Sequence, residues 1–194
     1  MTTSTATAPT PGRTDTSWLR LVHASIAVGI VGLVVFGYVG MAFTTISGGD
    51  FEYTADYWYT GSGLPSALAG IGIALGVHRL QRGADGRLGR IGVWVNTLAL
   101  AELFVQLCCS VLVGSELRWG PSYVVASLLT FVGVALLAAG SWRVGLLPRW
   151  MLGVWPLIWI LGSFAGGGPV PFVLAAFLVL LGVTLARRVE ARAG

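Results

Sequence analysis

Six apolar runs separated by short polar connections set the terms on which this chain can fold. They lie at about Trp18 to Ile46, Leu64 to Leu80, Arg90 to Val113, Pro121 to Trp142, Arg149 to Ala165 and Val170 to Ala186. A helix needs roughly 20 apolar residues to cross a bilayer, and these runs come near or exceed that length. Backbone in hydrocarbon must satisfy its hydrogen bonds internally, so such runs are read as helices. The expected fold is all-α, an integral membrane bundle of six transmembrane helices. Composition agrees, since 55% of the 194 residues are hydrophobic and 10% charged, where a soluble domain carries about 25% charged residues. Residues 18–187 would form this single domain. Residues 1–17, rich in Thr, Ala and Pro, read as a disordered tail, and residues 188–194 as a short cytoplasmic one. The N-terminal segment lacks a short basic n-region and leads into an apolar run too long for a cleaved signal.

Charge placement predicts orientation. The net charge is +4 and all 12 basic residues are arginines. Arg13, Arg20, Arg79, Arg82, Arg87, Arg90, Arg143, Arg149, Arg187, Arg188 and Arg192 fall on one side of the six-span arrangement. Asp50, Glu52, Asp56 and Glu116 fall on the other, with Arg118 as its one base. An arginine excess marks the inner side, so both termini are expected to be cytoplasmic in a multi-pass protein of the cell membrane. The basic residues thus serve orientation, and nucleic acid is not an expected partner. Trp18, Trp142 and Trp150 suit the inner interface, and Tyr53, Tyr57, Trp58, Tyr59, Trp119 and Tyr123 the outer one.

Spacing of small residues and prolines adds detail. Ser25 with Gly29, Gly72 with Gly76, and Gly162 with Gly166 are small pairs four apart, which let helices approach closely in lipid. Pro65, Pro121 and Pro169 stand near helix starts, where a missing N–H costs little. Pro156 falls inside the fifth run and predicts a kink. A faint similarity joins two hairpins: Gly72 to Leu75 leads on to Gly92-Val93-Trp94, and Gly133 to Leu136 leads on to Gly153-Val154-Trp155. Cys108 and Cys109 are adjacent, and neighbours on a helix point about 100° apart, so they read as packing residues rather than a disulfide.

Glu102 is the leading candidate for chemistry. At 1.5 Å per residue it lies about 18 Å along the third run from Arg90, near mid-membrane. A carboxylate there costs on the order of 2.5–3.5 kcal/mol or more, and such residues pair or function. Gln106 follows one turn later and Ser110 another turn on, with Asn96 on the flank. This polar stripe predicts a third helix that is central in the bundle. Three readings fit Glu102: a hydrogen-bonded packing residue, a general acid for a lipophilic substrate, or a proton-coupling carboxyl of a transporter.

Trp155 and Trp159, one turn apart, read either as packing or as the aromatic wall of a substrate pocket. Asp50 and Asp56 stand among aromatics in the long first outer loop, Ser47 to Gly63, and read as solvated or as substrate-binding. No metal-ligand spacing accompanies them, and no metal or cofactor is expected. His23 and His78 would suit a haem only if brought together. The chain has no P-loop, no GxSxG, no HExxH and no CxxC, so the reactions those motifs serve have no support.

The most specific expectation is an intramembrane enzyme that acts on an isoprenoid or lipid-like substrate by acid catalysis, of the cyclase or isomerase type. Glu102 would supply the proton, Gln106 would orient it, and Trp155, Trp159 and Asn96 would line the pocket. In size, span count and acid-plus-aromatic content this plan is similar to that of small multi-span membrane terpene cyclases, with no diagnostic motif in common. The alternatives are a small proton-coupled transporter or channel subunit, which predicts a homo-oligomer, and an accessory membrane protein without catalysis. Membrane lipid is a partner in all three.

Overall fold

A computed structural model describes residues 13–43, 49–117, 121–164 and 169–193. Among the described residues the chain is all-helical, without strands, in seven helices: α1 (Arg13–Ala42), α2 (Thr54–Gly61), α3 (Gly63–Leu80), α4 (Gly86–Val113), α5 (Ser122–Ser141), α6 (Arg149–Phe164) and α7 (Val170–Ala193). α1 takes in residues 13–17 and α7 takes in 188–193, both of which the sequence reading left to tails. The first outer loop differs from expectation. Its second half is the helix α2, and only Ser62, itself in helical conformation, separates α2 from α3. Thr54–Leu80 therefore forms one apolar span of 27 residues.

Among the described residues, five helical stretches are long and apolar enough to cross a membrane, and α6, at 16 residues, is shorter. The outer surface is apolar too. Val31, Leu98, Leu112, Leu157 and Val173 are all exposed. Contiguous exposed apolar surface of this kind belongs against lipid. The chain is thus a polytopic helical membrane bundle.

The helices form a closed ring. α7 packs on α1, α1 on α3, α3 on α4, α4 on α5, α5 on α6, and α6 returns to α7 through the slightest of these contacts. The ring leaves no helix at its centre, so α4 is not the central element that its polar stripe suggested. It keeps one face outward, along Ile91, Trp94, Leu98, Glu102 and Val105.

Glycines close the two tightest seams. A Cβ on Gly92 would strike the backbone of Leu137 and Gly133, and one on Gly133 would strike Asn96. Across α1 and α3, Gly72 lies against Ser25, Gly76 against Val22, and Gly29 against Ala69. The predicted pairs Ser25/Gly29 and Gly72/Gly76 therefore face one another. Lipid supplies no hydrophobic drive between helices, so backbone approach and dispersion hold these seams. Gly166 of the third pair lies outside the described residues. The positions matched by the faint repeat have unlike settings: Gly92 is clamped and Gly153 open, Trp94 exposed and Trp155 buried.

The arginine end of the ring is filled. Val22, Val77, Leu137, Leu146, Met151, Leu152, Leu181 and Leu185 are almost wholly buried there. Polar side chains tie this end together. His78 Nδ1 pairs with the buried Asp85 carboxylate at 2.6 Å, and Gln81 and Ser141 bond to each other, with Ser141 also donating to the Leu137 carbonyl. Arg79 stands 5.4 Å over the Trp18 ring, and His23 Nε2 donates to the Gly182 carbonyl of α7 at 3.1 Å. The two histidines thus serve different contacts.

Candidate functional site

The opposite end of the ring is hollow. Between α1, the α2–α3 span, α4, α5, α6 and α7 lies a cavity of about 590 Å³, within the range of small-molecule sites, about 300–1,000 Å³. Its deep wall is apolar, from Leu33, Ile73, Leu100, Leu174 and Leu178. Ile73 stands ten residues into α3 from the acidic end, which makes the cavity about 15 Å deep at 1.5 Å per residue. Trp159 forms one side, where its ring lies over Gly70, a position at which a Cβ would collide with it. Only a residue without a side chain lets the indole reach the α3 backbone, so Gly70 shapes this wall.

Gln106 is the polar centre of the other side. It is 3% exposed and lines the cavity. Its amide nitrogen donates to Glu102 Oε1 at 3.0 Å and to Ser122 Oγ at 3.0 Å. Both amide hydrogens are thereby engaged, and Oε1 is left buried without a partner. Ser127 also lines the cavity, fully buried, with its Oγ unpartnered. A buried polar atom left unpaired costs about 1–3 kcal/mol, and both atoms lie on side chains of the cavity wall, closed off from its open space.

Towards the acidic end the wall changes character. Tyr59, Tyr123 and Glu116 line the cavity there, and Tyr123 and Glu116 lie within electrostatic reach of Tyr59. Phe36 stacks on Tyr59 with ring centroids 4.4 Å apart. Ser110, the third member of the α4 polar stripe, lines the cavity, and its hydroxyl accepts from the Leu117 N–H at 3.1 Å. That bond draws the chain after α4 across the opening. Backbone bonds from Phe51 to Gly114 and from Glu116 to Gly49 pin the first loop beside it.

The residues singled out from sequence fall in five places. Gln106 and Trp159 line the cavity. Glu102 does not line it. It is exposed on the outward edge of α4 and reaches the cavity only through Gln106. Trp155 and Asn96 are buried beside it in the packed interior, each with an unpartnered polar atom, Nε1 and Oδ1. Asp50 is exposed on the loop, where it bridges to Ser115. Asp56 is 1% exposed and accepts the N–H groups of Glu52 and Tyr53 at 3.0 and 2.9 Å, which starts α2 in the manner of a capping box. Sequence reasoning passed over Ser127, used Glu116 for orientation alone, and assigned Tyr59 and Tyr123 to the interface alone. An isolated serine in the apolar run Val124 to Leu137 carries no signal of its own. No cluster of metal-ligating side chains occurs among the described residues.

Comparison with family models, with curated proteins and with solved structures finds no match to this chain.

Proposed function

We propose that this membrane protein takes an isoprenoid or other lipid-like molecule into the cavity between its helices. The observation that carries the reading is a deep apolar volume with two orphaned polar atoms, Gln106 Oε1 and Ser127 Oγ, in its walls. Apolar depth suits a hydrocarbon chain, and a few placed polar groups fix its orientation. Glu102 acts in this reading by holding the Gln106 amide so that Oε1 stays available. Direct acid catalysis by Glu102 on a bound molecule is less well served, because its proton would have to cross an amide that has no readily exchanged acid proton.

The test is mass spectrometry of lipids co-purified with the wild-type chain and with Leu103→Trp, which places a large ring in the cavity from a half-buried position. Wild type should carry a lipophilic species that the variant lacks. Equal, non-specific lipid in both would overturn the reading. Whole-cell lipid extracts compared between wild type and Glu102→Gln add the catalytic arm: a product that needs Glu102 would restore acid catalysis.

One observation favours a second reading, a proton-coupled transporter subunit. Glu102 faces outward from the ring, where only lipid or another chain can cover it. A carboxyl at that depth favours a protein partner, so this reading expects a dimer joined along α4. Cysteines placed at Leu98 or Val105 would cross-link in membranes if it holds, and stay monomeric otherwise.

A further inference from the structure

We infer that Trp159 determines the specificity of the cavity by restricting its ligand to a lipid with a single hydrocarbon chain. This rests on the proposal that the cavity takes in a lipid-like molecule, and it names the class of lipid that the site admits.

Two helices that do not touch are joined here by one side chain. Among the described residues, the backbones of α3 and α6 make no direct contact and face each other across the ring. The half-buried Trp159 nevertheless reaches from α6 to Gly70 on α3. A Cβ at Gly70 would stand 2.7 Å from Cζ2 and 2.8 Å from Cη2 of the indole. Carbon atoms in contact lie about 3.5–4.0 Å apart, so only glycine leaves room for the ring. The indole therefore crosses the interior from one wall to the other.

The crossing divides the hollow unequally. From α3 to α6 the ring can be followed through α4 and α5, or through α1 and α7. At the level of Gly70 the indole parts these two sides. On the α4–α5 side, Leu100 Cδ1 comes within 2.7 Å of the same point and packs beside the indole against Gly70. That side is filled at this depth. The α1–α7 side is lined by Gly29, Leu33, Leu174 and Leu178, all buried. Ile73, about one turn below Gly70, carries it deeper. One apolar slot thus continues past the indole, and it lies on the α1–α7 side.

A site fed from the bilayer has to reject the lipids that surround it. A hydrocarbon chain gains little on leaving lipid for an apolar slot, because the hydrophobic gain belongs to transfer out of water. Discrimination then comes from clashes built against the wrong molecule. A two-chain lipid would have to seat its second chain on the α4–α5 side, where the indole and Leu100 stand in its way. A single chain meets no such obstacle.

The experiment uses the full chain purified in a steroidal detergent, which brings no flexible chain of its own. Bound lipids are identified by mass spectrometry, with Leu103→Trp as the blocked reference. Wild type should hold a single-chain species that the reference lacks, and no more two-chain phospholipid than the reference. Trp159→Ala opens the two sides to each other and should raise bound two-chain phospholipid by about tenfold, equivalent to about 1.4 kcal/mol. Trp159→Leu, which keeps more of the packing, should move it in the same direction. The comparison of wild type with the reference decides even where a Trp159 variant does not fold. Two-chain phospholipid that wild type holds and the reference lacks overturns the single-chain assignment while the cavity reading stands. Bound lipid unchanged in folded Trp159 variants does the same. No species that wild type holds and Leu103→Trp lacks overturns both.

Discussion

At the scale of single residues, Gln106 is the polar centre of the cavity wall. Gln106→Leu removes its amide and the bonds that amide makes to Glu102 and Ser122. Under the proposed function, the amount of co-purified lipid should fall by about tenfold, the size of one charge-assisted hydrogen bond. Glu102→Gln should act more mildly, because its amide oxygen can still accept from Gln106. Glu102→Leu frees the Gln106 amide to turn and should approach the loss seen in Gln106→Leu. Mass spectrometry of the co-purified lipid measures all three. Equal binding by Glu102→Leu and wild type would show that the carboxylate has no part in holding the amide.

The same residues show what helical periodicity can and cannot reveal. The Glu102–Gln106 bond follows from i,i+4 spacing and is observed at 3.0 Å. Four residues advance about 400°, so partners one turn apart still differ by about 40° around the axis. That angle is enough for Gln106 to face the cavity while Glu102 faces out. Spacing gives the angle between two residues on one helix. It does not say which side of that helix meets its neighbours, and the seams with α3 and α5 settle that here. The place of Ser127 was illegible for the same reason, since it shares a cavity wall with Gln106 only once α4 and α5 are packed.

At the scale of elements, α4 and α5 are joined backbone to backbone. Gly133→Val would drive a branched side chain into Asn96 of α4, an overpacking that costs typically 1–3 kcal/mol. Gly153→Ala in α6 meets open space and should be neutral or slightly stabilising through helix propensity. Thermal aggregation in detergent should therefore begin at a lower temperature for Gly133→Val and not for Gly153→Ala. The short helix α2 makes a separate case. Asp56 holds its first turn by two backbone bonds, and Asp56→Ala should cost about 1 kcal/mol. Faster protease cleavage between residues 50 and 61, with the rest of the chain intact, is the expected result, and unchanged cleavage would count against the cap. Sequence reading took this segment for loop because it lies between the first and second apolar runs. The cap and the almost unbroken passage into α3 make it helical nonetheless.

At the scale of the molecule, the six-helix ring is packed at the arginine end and hollow at the acidic end. The all-α membrane class was legible from the apolar runs, since a bilayer permits little else. The hollow was not, because a cavity is a property of how the helices lean together, and no single run encodes it. Closure also depends on α6, which at 16 residues spans about 24 Å, short of a hydrocarbon core of about 30 Å. Among the described residues its contact with α7 is the slightest in the ring. The side of the membrane to which the hollow end belongs follows from the arginines. Eleven of 12 lie at the packed end in the sequence arrangement, and that excess predicts a cytoplasmic location for this end and for both termini. Green fluorescent protein fused after Gly194 should therefore fluoresce, and alkaline phosphatase inserted between Leu117 and Pro121 should be active outside the cell. Reversal of both signals would turn the cavity mouth, with Tyr59, Tyr123 and Glu116, towards the cytoplasm.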